Sequence, residues 1–380
     1  MAQATDTVII GAGPAGLAVG ACLKGRGVPF EMIERQAHVG WSWHHHYERL
    51  HLHTVKNHSA LPFVPFPDHL PTYPSRDQVA AYLVDYAARF NLQPRLGESV
   101  TRAARVQGEW RIETDKGPPL RARRLVVATG YNRAPNLPRF EGAEDFGGEI
   151  RHAARYTNGA AWQGRSVLVV GCGNTGAEIA ICLWEHGARV TLVVRSPIHV
   201  APRDLLGTPA QEANLLLSRL PTALRDRLSV ALLDLVVGDL SAYGIRRPSQ
   251  GPTAQILERG RIPLIDVGTI DLIKQGHVKV APAVERLVPG GARFVDGREG
   301  RFDAIIVASG YKAALGDFLE GADDLVNDQG YPLWHGKEVP SAPGLYFVGF
   351  SNPPTGFLRE IAIEARRVAR DIASKGRAAP

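Results

Sequence analysis

Val8-Ile-Ile-Gly11-Ala-Gly13-Pro-Ala-Gly16 is the stretch of this sequence that decides the fold. Its glycines follow a G-x-G-x-x-G pattern, after an apolar run that predicts a buried strand at 7–10 and before a predicted helix that continues to about residue 24. Gly11 allows a tight turn, Gly13 lets the backbone approach a pyrophosphate, and Gly16 lets helix and strand pack closely. The helix N-terminus then offers unpaired N–H groups to a phosphate.

Glu34 makes this prediction more specific. It follows the next predicted strand, at 28–33, and lies eighteen residues after Gly16. A carboxylate at this place can accept hydrogen bonds from ribose hydroxyls. A lone G-x-G-x-x-G is often only a turn. Because strand, helix and acid occur in the expected order, we interpret the stretch as a dinucleotide-binding βαβ unit.

Gly171-Cys-Gly173-Asn-Thr-Gly176 repeats the pattern after a second predicted strand, at 167–170. Asn174 and Thr175 could add side-chain hydrogen bonds to a phosphate. Arg195 and Ser196 follow the next strand where the first unit has its acid. A guanidinium binds a 2′-phosphate in fork geometry, whereas a carboxylate would repel it. The second loop therefore predicts NADPH rather than NADH, although Arg195 could be only a solvated charge.

The remaining apolar runs complete an α/β pattern. Further strands are predicted at 100–114, 123–128, 190–194, 303–308 and 345–348, and helices at 77–90, 177–186 and 356–375, with mostly helical and loop structure at 204–260. We therefore predict two dinucleotide-binding, Rossmann-like domains.

Composition narrows the class of protein. The 380 residues carry a net charge of +6, but the arginines are scattered, so a basic enzyme with polyphosphate cofactors is favoured over a nucleic-acid-binding protein. No run of eighteen apolar residues and no signal-peptide pattern is found, so we expect no membrane span. Three cysteines give no disulfide framework or metal-finger spacing, and a cytoplasmic location is expected.

Residues 38–75 hold eight of the thirteen histidines and many prolines, which suits a loop that wraps a ligand. His44-His45-His46, His51 and His53 suggest a metal site. Adjacent side chains point in different directions, however, and no Asp, Glu or Cys completes a set of ligands nearby. We expect no metal.

The segment between the two loops carries another pattern. Phe146-Gly-Gly148-Glu-Ile-Arg-His152-Ala-Ala-Arg-Tyr156 resembles the F-x-G-x-x-x-H-x-x-x-(Y/F) signature of class B flavin-dependent monooxygenases. Resemblance to the YUCCA-type members of that class covers nearly the whole chain, through stretches at 43–53, 61–74, 128–131, 169–176, 194–200, 243–248, 262–268 and 345–350. We interpret His152 as a hinge residue without a role in proton transfer.

This resemblance implies a FAD-binding domain at 1–158 and 300–380, with an NADPH-binding domain at 159–299 inserted into it. It implies hydride transfer from NADPH to FAD, addition of O2 to give a C4a-(hydro)peroxyflavin, and insertion of one oxygen atom into a small substrate. The resemblance also implies that oxidised NADP stays bound and keeps water from that species.

The motifs and the resemblance together assign residues to both cofactors. The FAD set is Gly11, Gly13, Pro14, Ala15, Gly16, Glu34, Arg35, Ser42, Trp43, His53, Thr54, Val100, Thr129, Gly130, Gly349 and Phe350. The NADPH set is Gly171, Gly173, Asn174, Thr175, Gly176, Arg195, Ser196, Ser309, Gly310 and Tyr311. His53, as a polar residue implied to lie near the reactive face of the flavin, is the candidate for a catalytic role.

Three positions depart from the family pattern. Gly349-Phe350 stands where many flavoproteins have Gly-Asp to hold the ribityl chain, which leaves that contact to the backbone, to Asn352 or to Thr355. Ser309 replaces a threonine. Trp41 is an extra aromatic residue that could shape a pocket or only pack.

The substrate and the fate of the flavin stay open at this point. Plant relatives decarboxylate a 2-oxo acid, indole-3-pyruvate, and Arg203, Arg246 or Arg247 could bind such a carboxylate. The alternatives are N- or S-oxygenation, Baeyer–Villiger oxidation, an NADPH oxidase or redox-sensing flavoprotein, and a basic binding protein with vestigial loops. A disulfide reductase is disfavoured because no paired cysteines occur.

Overall fold

The computed structural model describes residues 3–205, 207–351, 353 and 355–376. They form two compact units. Unit 1 contains the described parts of Met1–His44, Thr54–Ala134 and Tyr311–Pro380, and unit 2 contains His45–His53 and Pro135–Gly310. Unit 2 is therefore inserted into the sequence of unit 1.

The strands, in chain order, are β1 (Gln3–Ile10), β2 (Phe30–Glu34), β3 (Arg95–Leu96), β4 (Val100–Val106), β5 (Glu109–Thr114), β6 (Leu120–Val127), β7 (Ala134–Pro135), β8 (Glu149–His152), β9 (Ser166–Val170), β10 (Arg189–Val193), β11 (Val200–Pro202), β12 (Asp204–Leu205), β13 (Thr208–Pro209), β14 (Leu264–Asp266), β15 (Val278–Ala281), β16 (Val284–Val288), β17 (Gly291–Phe294), β18 (Glu299–Arg301), β19 (Ala304–Val307), β20 (Tyr311–Lys312), β21 (Glu338–Val339) and β22 (Ala342–Phe347). The helices are α1 (Pro14–Lys24), α2 (Trp41–His44), α3 (Lys56–Ser59), α4 (Arg76–Arg89), α5 (Asn174–Glu185), α6 (Ala210–Leu217), α7 (Thr222–Val236), α8 (Pro252–Arg259), α9 (Thr269–Lys274) and α10 (Phe357–Gly376).

The sheet of unit 1 has β1 at its centre. Parallel pairing gives the order β22-β6-β1-β2-β3, while β21 pairs antiparallel with β22, and the β4–β5 hairpin joins β6 through β5. Val8 and Ile9 of β1 and Val126 of β6 are fully buried. Parallel strands covered on both faces read as continuous apolar runs, which explains why β1 is apolar at consecutive positions.

The turn after β1 is fixed by close backbone contact. Gly11 has a φ of +107°, and a Cβ at this residue would lie 2.6 Å from the carbonyl oxygen of Ala128, just after β6. A Cβ at Gly16, in the first turn of α1, would lie 1.8 Å from the carbonyl oxygen of Gly11. Both positions therefore require glycine for steric reasons.

Unit 2 is built on a five-stranded parallel sheet in the order β15-β10-β9-β19-β8. Its central strand β9 is followed by α5, as β1 is followed by α1. A three-stranded antiparallel sheet, β16-β17-β18, and two short strand pairs, β11–β14 and β12–β13, complete the strand pairing we describe in this unit.

The first turn is repeated in unit 2 with almost the same geometry. Gly171 has a φ of +119°, and its Cβ would lie 2.4 Å from the carbonyl oxygen of Ala308, which follows β19. The Cβ of a residue at position 176 would again lie 1.8 Å from the oxygen of the first glycine. The two G-x-G-x-x-G patterns are thus two copies of one structural device.

The predicted strands and helices are found, with ends shifted by a few residues. The helix predicted at 177–186 begins earlier, at Asn174, because the turn itself opens the helix. The run predicted at 100–114 is a hairpin of two strands, β4 and β5. The segment at 38–75, expected to be a loop, contains the one-turn helices α2 and α3.

The boundaries of the two units differ from those expected. The change of unit falls after Ala134 and after Gly310, rather than at 158/159 and 299/300. The reason is that β8 pairs with β19 inside the second sheet and draws the preceding residues into unit 2. Residues 45–53 also belong to unit 2. The assignment of each unit to a cofactor stays a prediction.

In the part of the chain that the structure describes, none of the helices has the length and apolarity needed to cross a membrane.

Replacing Gly16 by alanine should prevent unit 1 from folding normally, because the new Cβ would meet backbone at 1.8 Å. We expect a loss of at least about 3 kcal/mol in the free energy of unfolding. Gly13→Ala is the matched control, since nothing lies within 4 Å of its Cβ and its φ is −79°. That control should lose about 1 kcal/mol or less. Urea unfolding followed by circular dichroism measures both, and equal stability of the two variants would contradict this account.

Candidate functional site

The first loop leaves an open cradle at the N-terminus of α1. Gly13 is the residue before the helix, and no protein atom lies within 4 Å of the place its Cβ would occupy. Thr129, beside this turn, has a buried hydroxyl with no hydrogen-bond partner among the described residues. A buried polar group of this kind normally has a partner. Open space, helix N-terminus and unsatisfied hydroxyl together suit an anionic ligand.

Glu34 is held rigidly at the end of β2. One carboxylate oxygen accepts the N–H of Ala12 at 2.7 Å, and the other accepts that of Gln36 at 2.9 Å. A carboxylate has about four acceptor positions, so these two bonds fix its orientation and leave capacity for two hydroxyls. This arrangement suits a ribose diol.

The second loop offers the same cradle, since Gly173 also has no neighbour within 4 Å of a Cβ. The carbonyl oxygen of the Asn174 side chain accepts the N–H of Ile265 at 2.7 Å. This bond orients the amide so that its NH2 group remains to donate to a phosphate. Thr175 is half-buried in the first turn of α5.

The end of β10 carries more positive charge than the sequence indicated. Arg195 is exposed there, and the half-buried Ser196 accepts a hydrogen bond from the guanidinium of Arg261 at 3.3 Å. Sequence reasoning missed Arg261, which precedes one of the family-like stretches but lies far away along the chain. Arg195, Ser196 and Arg261 fit a phosphate monoester better than Arg195 alone.

His152, in the signature between the two loops, holds the backbone that follows β19. His152 donates from Nε2 to the carbonyl oxygen of Gly310 at 3.1 Å, while its Nδ1 accepts the N–H of Ala154. Burial lowers the pKa of His152. Both ring nitrogens are thus used by backbone groups, and the ring holds Gly310 in place.

The other signature residues are explained by packing. Phe146 and Tyr156 are fully buried, and Tyr156 stacks on Trp162 with 5.4 Å between ring centroids. A Cβ at Gly148 would lie 2.6 Å from the ring of Phe146. These signature residues therefore have packing roles in unit 2.

Ser309 and Thr129 occupy equivalent places but differ in their partners. The Ser309 hydroxyl donates to the carbonyl oxygen of Asn136, and the Asn136 N–H donates to Gly310 at 3.0 Å. The serine side chain is therefore used within unit 2, whereas the Thr129 hydroxyl has no such partner among the described residues. Burial raises the pKa of Tyr311, which keeps its phenol protonated.

His53 contacts a buried carboxylate. Its Nε2 lies 2.6 Å from Glu178 of α5, and the same oxygen accepts the Tyr47 hydroxyl at 3.3 Å. Glu178 is only 3% exposed. Sequence reasoning missed Glu178, although an acid between apolar residues of a helix is a signal for a buried polar contact. These bonds fasten segment 45–53 to α5, one turn beyond the second loop.

The remaining predicted FAD residues take varied positions. Ser42 and Trp43 lie in the single turn of α2. The Thr54 hydroxyl donates to the Ser59 hydroxyl at 2.8 Å, and that of Ser59 donates to the carbonyl oxygen of Val55. Arg35 is exposed and donates to the carbonyl oxygen of Arg133 at 2.9 Å. Val100 begins β4 and packs on the core of unit 1. Gly130 has a φ of +70°, and no protein atom lies within 4 Å of the place its Cβ would occupy. Trp41 stacks on His38, with 5.8 Å between centroids.

Gly349 and Phe350 follow the end of β22. Phe350 is 5% exposed and packs edge-on against Phe347 in the core, so it can offer a ligand only its backbone. The Gly349 N–H donates to Glu364 of α10 at 2.9 Å. Thr355 is half-buried, and Asn352 lies outside the described residues.

The thiols are poorly suited to redox chemistry. Burial raises the pKa of Cys22 to about 11 and that of Cys172 to about 12, and it also raises the pKa of Cys182. A thiol with a raised pKa carries little thiolate at neutral pH and reacts slowly. Cys172 is also placed inside the turn of the second loop.

The sequence also offered histidines for a metal site and arginines for a substrate carboxylate. Within the described ranges, no three His, Cys, Asp or Glu side chains are arranged to hold a metal ion. Among the arginines considered for a substrate carboxylate, Arg247 is paired with Asp234, Arg203 lies 3.5 Å from Asp204, and Arg246 is exposed.

The proteins to which this chain is similar in sequence and in fold include several monooxygenases. A sequence model of the family described as pyridine nucleotide-disulphide oxidoreductase matches residues 8–205. The chain is 43% identical over 375 residues to indole-3-pyruvate monooxygenase YUCCA1 of Oryza sativa subsp. japonica, covering 96% of this chain and 90% of that protein. It is 39% identical over 383 residues to indole-3-pyruvate monooxygenase YUCCA6 of Arabidopsis thaliana, covering 97% and 90%. The fold matches a flavin-containing monooxygenase from Stenotrophomonas maltophilia with a TM-score of 0.75 at 24% identity, covering 98% and 99%.

Replacing Glu178 by alanine should loosen segment 45–53, because Tyr47 and His53 would both lose a buried acceptor. We expect a loss of about 2 kcal/mol in the free energy of unfolding and faster hydrogen–deuterium exchange at 45–53. Glu185→Ala is the matched control, since it breaks an exposed pair of α5 with Arg49 in the same segment. It should cost at most about 1 kcal/mol. Equal effects of the two changes would show that the buried contact does not hold the segment.

Proposed function

The chain belongs to the YUCCA-type flavin-dependent monooxygenases, and from this premise we propose that it is an NADPH-dependent FAD monooxygenase that oxidatively decarboxylates a 2-oxo acid such as indole-3-pyruvate. The enzyme class rests on the close relatives. The choice of substrate class rests on the activity for which those relatives are named, and they are 43% and 39% identical over nearly the whole chain.

The contrast between the two loops is the observation that carries the cofactor assignment. A fixed carboxylate, Glu34, ends β2 beside the first loop, and an exposed guanidinium, Arg195, follows β10 beside the second. A ribose diol suits the carboxylate, and a 2′-phosphate suits the guanidinium. FAD is therefore assigned to the first loop and NADPH to the second.

The two cofactors supply the redox chemistry that the protein side chains lack. When bound, they pass a hydride from NADPH to the flavin, which activates O2 and delivers one oxygen atom to the substrate while the other leaves as water. For a 2-oxo acid, the bond between the keto carbon and the carboxyl carbon breaks, the carboxyl group leaves as carbon dioxide, and the keto carbon becomes a new carboxyl group. One NADPH, one proton and one O2 are used for each substrate.

The residues of unit 1 would hold FAD mainly through backbone groups. The N–H groups at the start of α1 face the open cradle beside Gly13, and the buried Thr129 hydroxyl supplies a further hydrogen bond. Glu34 would accept ribose hydroxyls with the capacity that Ala12 and Gln36 leave free. Arg35, Ser42, Trp43, Val100 and Gly130 are proposed to line the same cofactor on the strength of the family resemblance alone.

The residues of unit 2 would hold NADPH in a similar way. The NH2 group of Asn174 and the hydroxyl of Thr175 face the phosphates from the first turn of α5, while Arg195 and Ser196 bind the 2′-phosphate. His152 and Asn136 keep the Ser309-Gly310 backbone fixed beside this loop.

We assign His53 a polar role rather than that of a general base. Its Nε2 is committed to Glu178, so only Nδ1 is left to donate or accept a proton. A histidine oriented by a carboxylate keeps one tautomer. His53 and Thr54 are proposed to present fixed polar groups to the flavin, with little movement of protons.

The expected setting follows from the same reasoning. Small substrate and O2 are the proposed partners, and we place the enzyme in the cytoplasm because three unpaired cysteines suit a reducing compartment.

Purified yellow enzyme should consume NADPH with indole-3-pyruvate or phenylpyruvate and release the acid one carbon shorter, with little hydrogen peroxide. Trimethylamine and a cyclic ketone serve as competing substrates, and each product is identified by mass. Turnover of the amine or the ketone without the 2-oxo acids would overturn the substrate class. Rapid NADPH use that yields only hydrogen peroxide would indicate an oxidase, and a colourless protein would contradict the flavin assignment.

Replacing Arg195 by alanine should reduce the preference for NADPH over NADH at least about tenfold, since a charge-assisted bond to the 2′-phosphate is lost. The ratio of kcat/KM values for the two nucleotides measures this. Arg189→Ala is the control, because Arg189 is also exposed but lies at the other end of β10. An unchanged ratio in the Arg195 variant would show that another group binds the phosphate.

A further inference from the structure

Glu364 is a buried acid that the proposed chemistry does not use. It lies in the eighth position of α10 and is 3% exposed. The apolar stripe of this helix includes Ile361, Ala365 and Val368, so the acid stands on the face that packs into the core. A carboxyl group placed there costs free energy unless a hydrogen bond compensates for the lost water.

The bond that Glu364 makes is to the turn after β22. One oxygen of the carboxyl group accepts the N–H of Gly349 at 2.9 Å. Gly349 has a φ of +81°, and a Cβ there would lie 2.8 Å from the Cβ of Ala15 in the first turn of α1. The turn held by Glu364 is therefore packed directly against α1, the helix that begins in the first loop.

The side chain of Glu364 is itself enclosed. A Cβ at Gly336 would lie 2.8 Å from its Cγ, so the acid is confined between the backbone at 336 and the backbone at 349. Burial raises the pKa of Glu364 to about 7, against the opposing effect of the hydrogen bond from Gly349. These surroundings select one side-chain position.

The same turn contains Phe350, the position at which this sequence departs from the Gly-Asp pattern of many flavoproteins. Position 350, where many flavoproteins have an acid that holds the ribityl chain, is a phenylalanine buried in the core. An acid reaches the turn from α10 instead, and it contacts the residue directly before Phe350.

We propose that Glu364 is a positioning residue for FAD, which takes over the task of the missing acid by holding the Gly349-Phe350 backbone against α1 so that it contacts the ribityl chain. The proposal rests on the assignment of FAD to the first loop. It requires a hydrogen-bond acceptor at this place rather than a negative charge, because the partner is a backbone N–H.

Two substitutions separate these requirements. Glu364→Gln keeps the length and a carbonyl acceptor, whereas Glu364→Met keeps the length and removes the acceptor. Glu360→Gln, one turn earlier on α10 and more exposed, is the matched control. Each apoprotein is titrated with FAD, the dissociation constant is measured by quenching of flavin fluorescence, and folding is checked by circular dichroism.

We expect Glu364→Met to weaken FAD binding at least about tenfold, which corresponds to the loss of one hydrogen bond, while Glu364→Gln and Glu360→Gln stay within about threefold of the wild type. Wild-type affinity in the methionine variant, or equal losses in the methionine and glutamine variants, would overturn the proposal. Failure of the wild type to bind FAD would instead refute the proposed function.

Should the methionine variant fail to fold, hydrogen–deuterium exchange of the wild-type protein decides. FAD should slow exchange in the peptide that contains Gly349 together with the peptide that contains Glu364. Protection of the first loop without protection of these two peptides would overturn the proposal.

Discussion

Both units depend on one close contact. The first glycine of each loop packs against the backbone that follows the neighbouring strand of the sheet. Gly11 lies over the carbonyl oxygen of Ala128, and Gly171 lies over that of Ala308, with no room for a Cβ in either case. The turn can therefore form only when the central strand and its neighbour are already aligned. The open space at each loop therefore depends on the whole sheet rather than on the local sequence alone.

The two cradles share this frame and differ in the side chains around it. At the first, Glu34 ends β2, and the hydroxyl of Thr129, just after β6, has no hydrogen-bond partner among the described residues. At the second, Arg195 follows β10 and the hydroxyl of Ser309 is bonded to Asn136. One architecture thus carries two different sets of side chains beside its two loops, a carboxylate at the first and a guanidinium at the second.

The sequence predicted what depends on local order along the chain. The strands, the helices and both glycine turns follow one another at short and regular spacings, and they were found with ends shifted by a few residues. The cofactor roles of Glu34 and Arg195 stay predictions. Glu178 with Tyr47 and His53, Arg261 with Ser196, and Glu364 with Gly349 were not predicted, because a hydrogen bond between distant residues leaves no periodic pattern. The compact units change at residues other than the expected domain boundaries, and no regular spacing indicates those residues, since the pairing of β8 with β19 joins parts far apart in the chain.

The assignment of residues 45–53 to unit 2 determines where this unit can be cut from the chain. The chain passes from one unit to the other four times, after residues 44, 53, 134 and 310. A gene fragment that encodes residues 135–310 alone would carry Glu178 without Tyr47 and His53, and so would leave a carboxylate beneath a missing piece of chain. A protein cut to residues 135–310 is therefore not unit 2 by itself, because it lacks the segment 45–53 that hydrogen-bonds to α5.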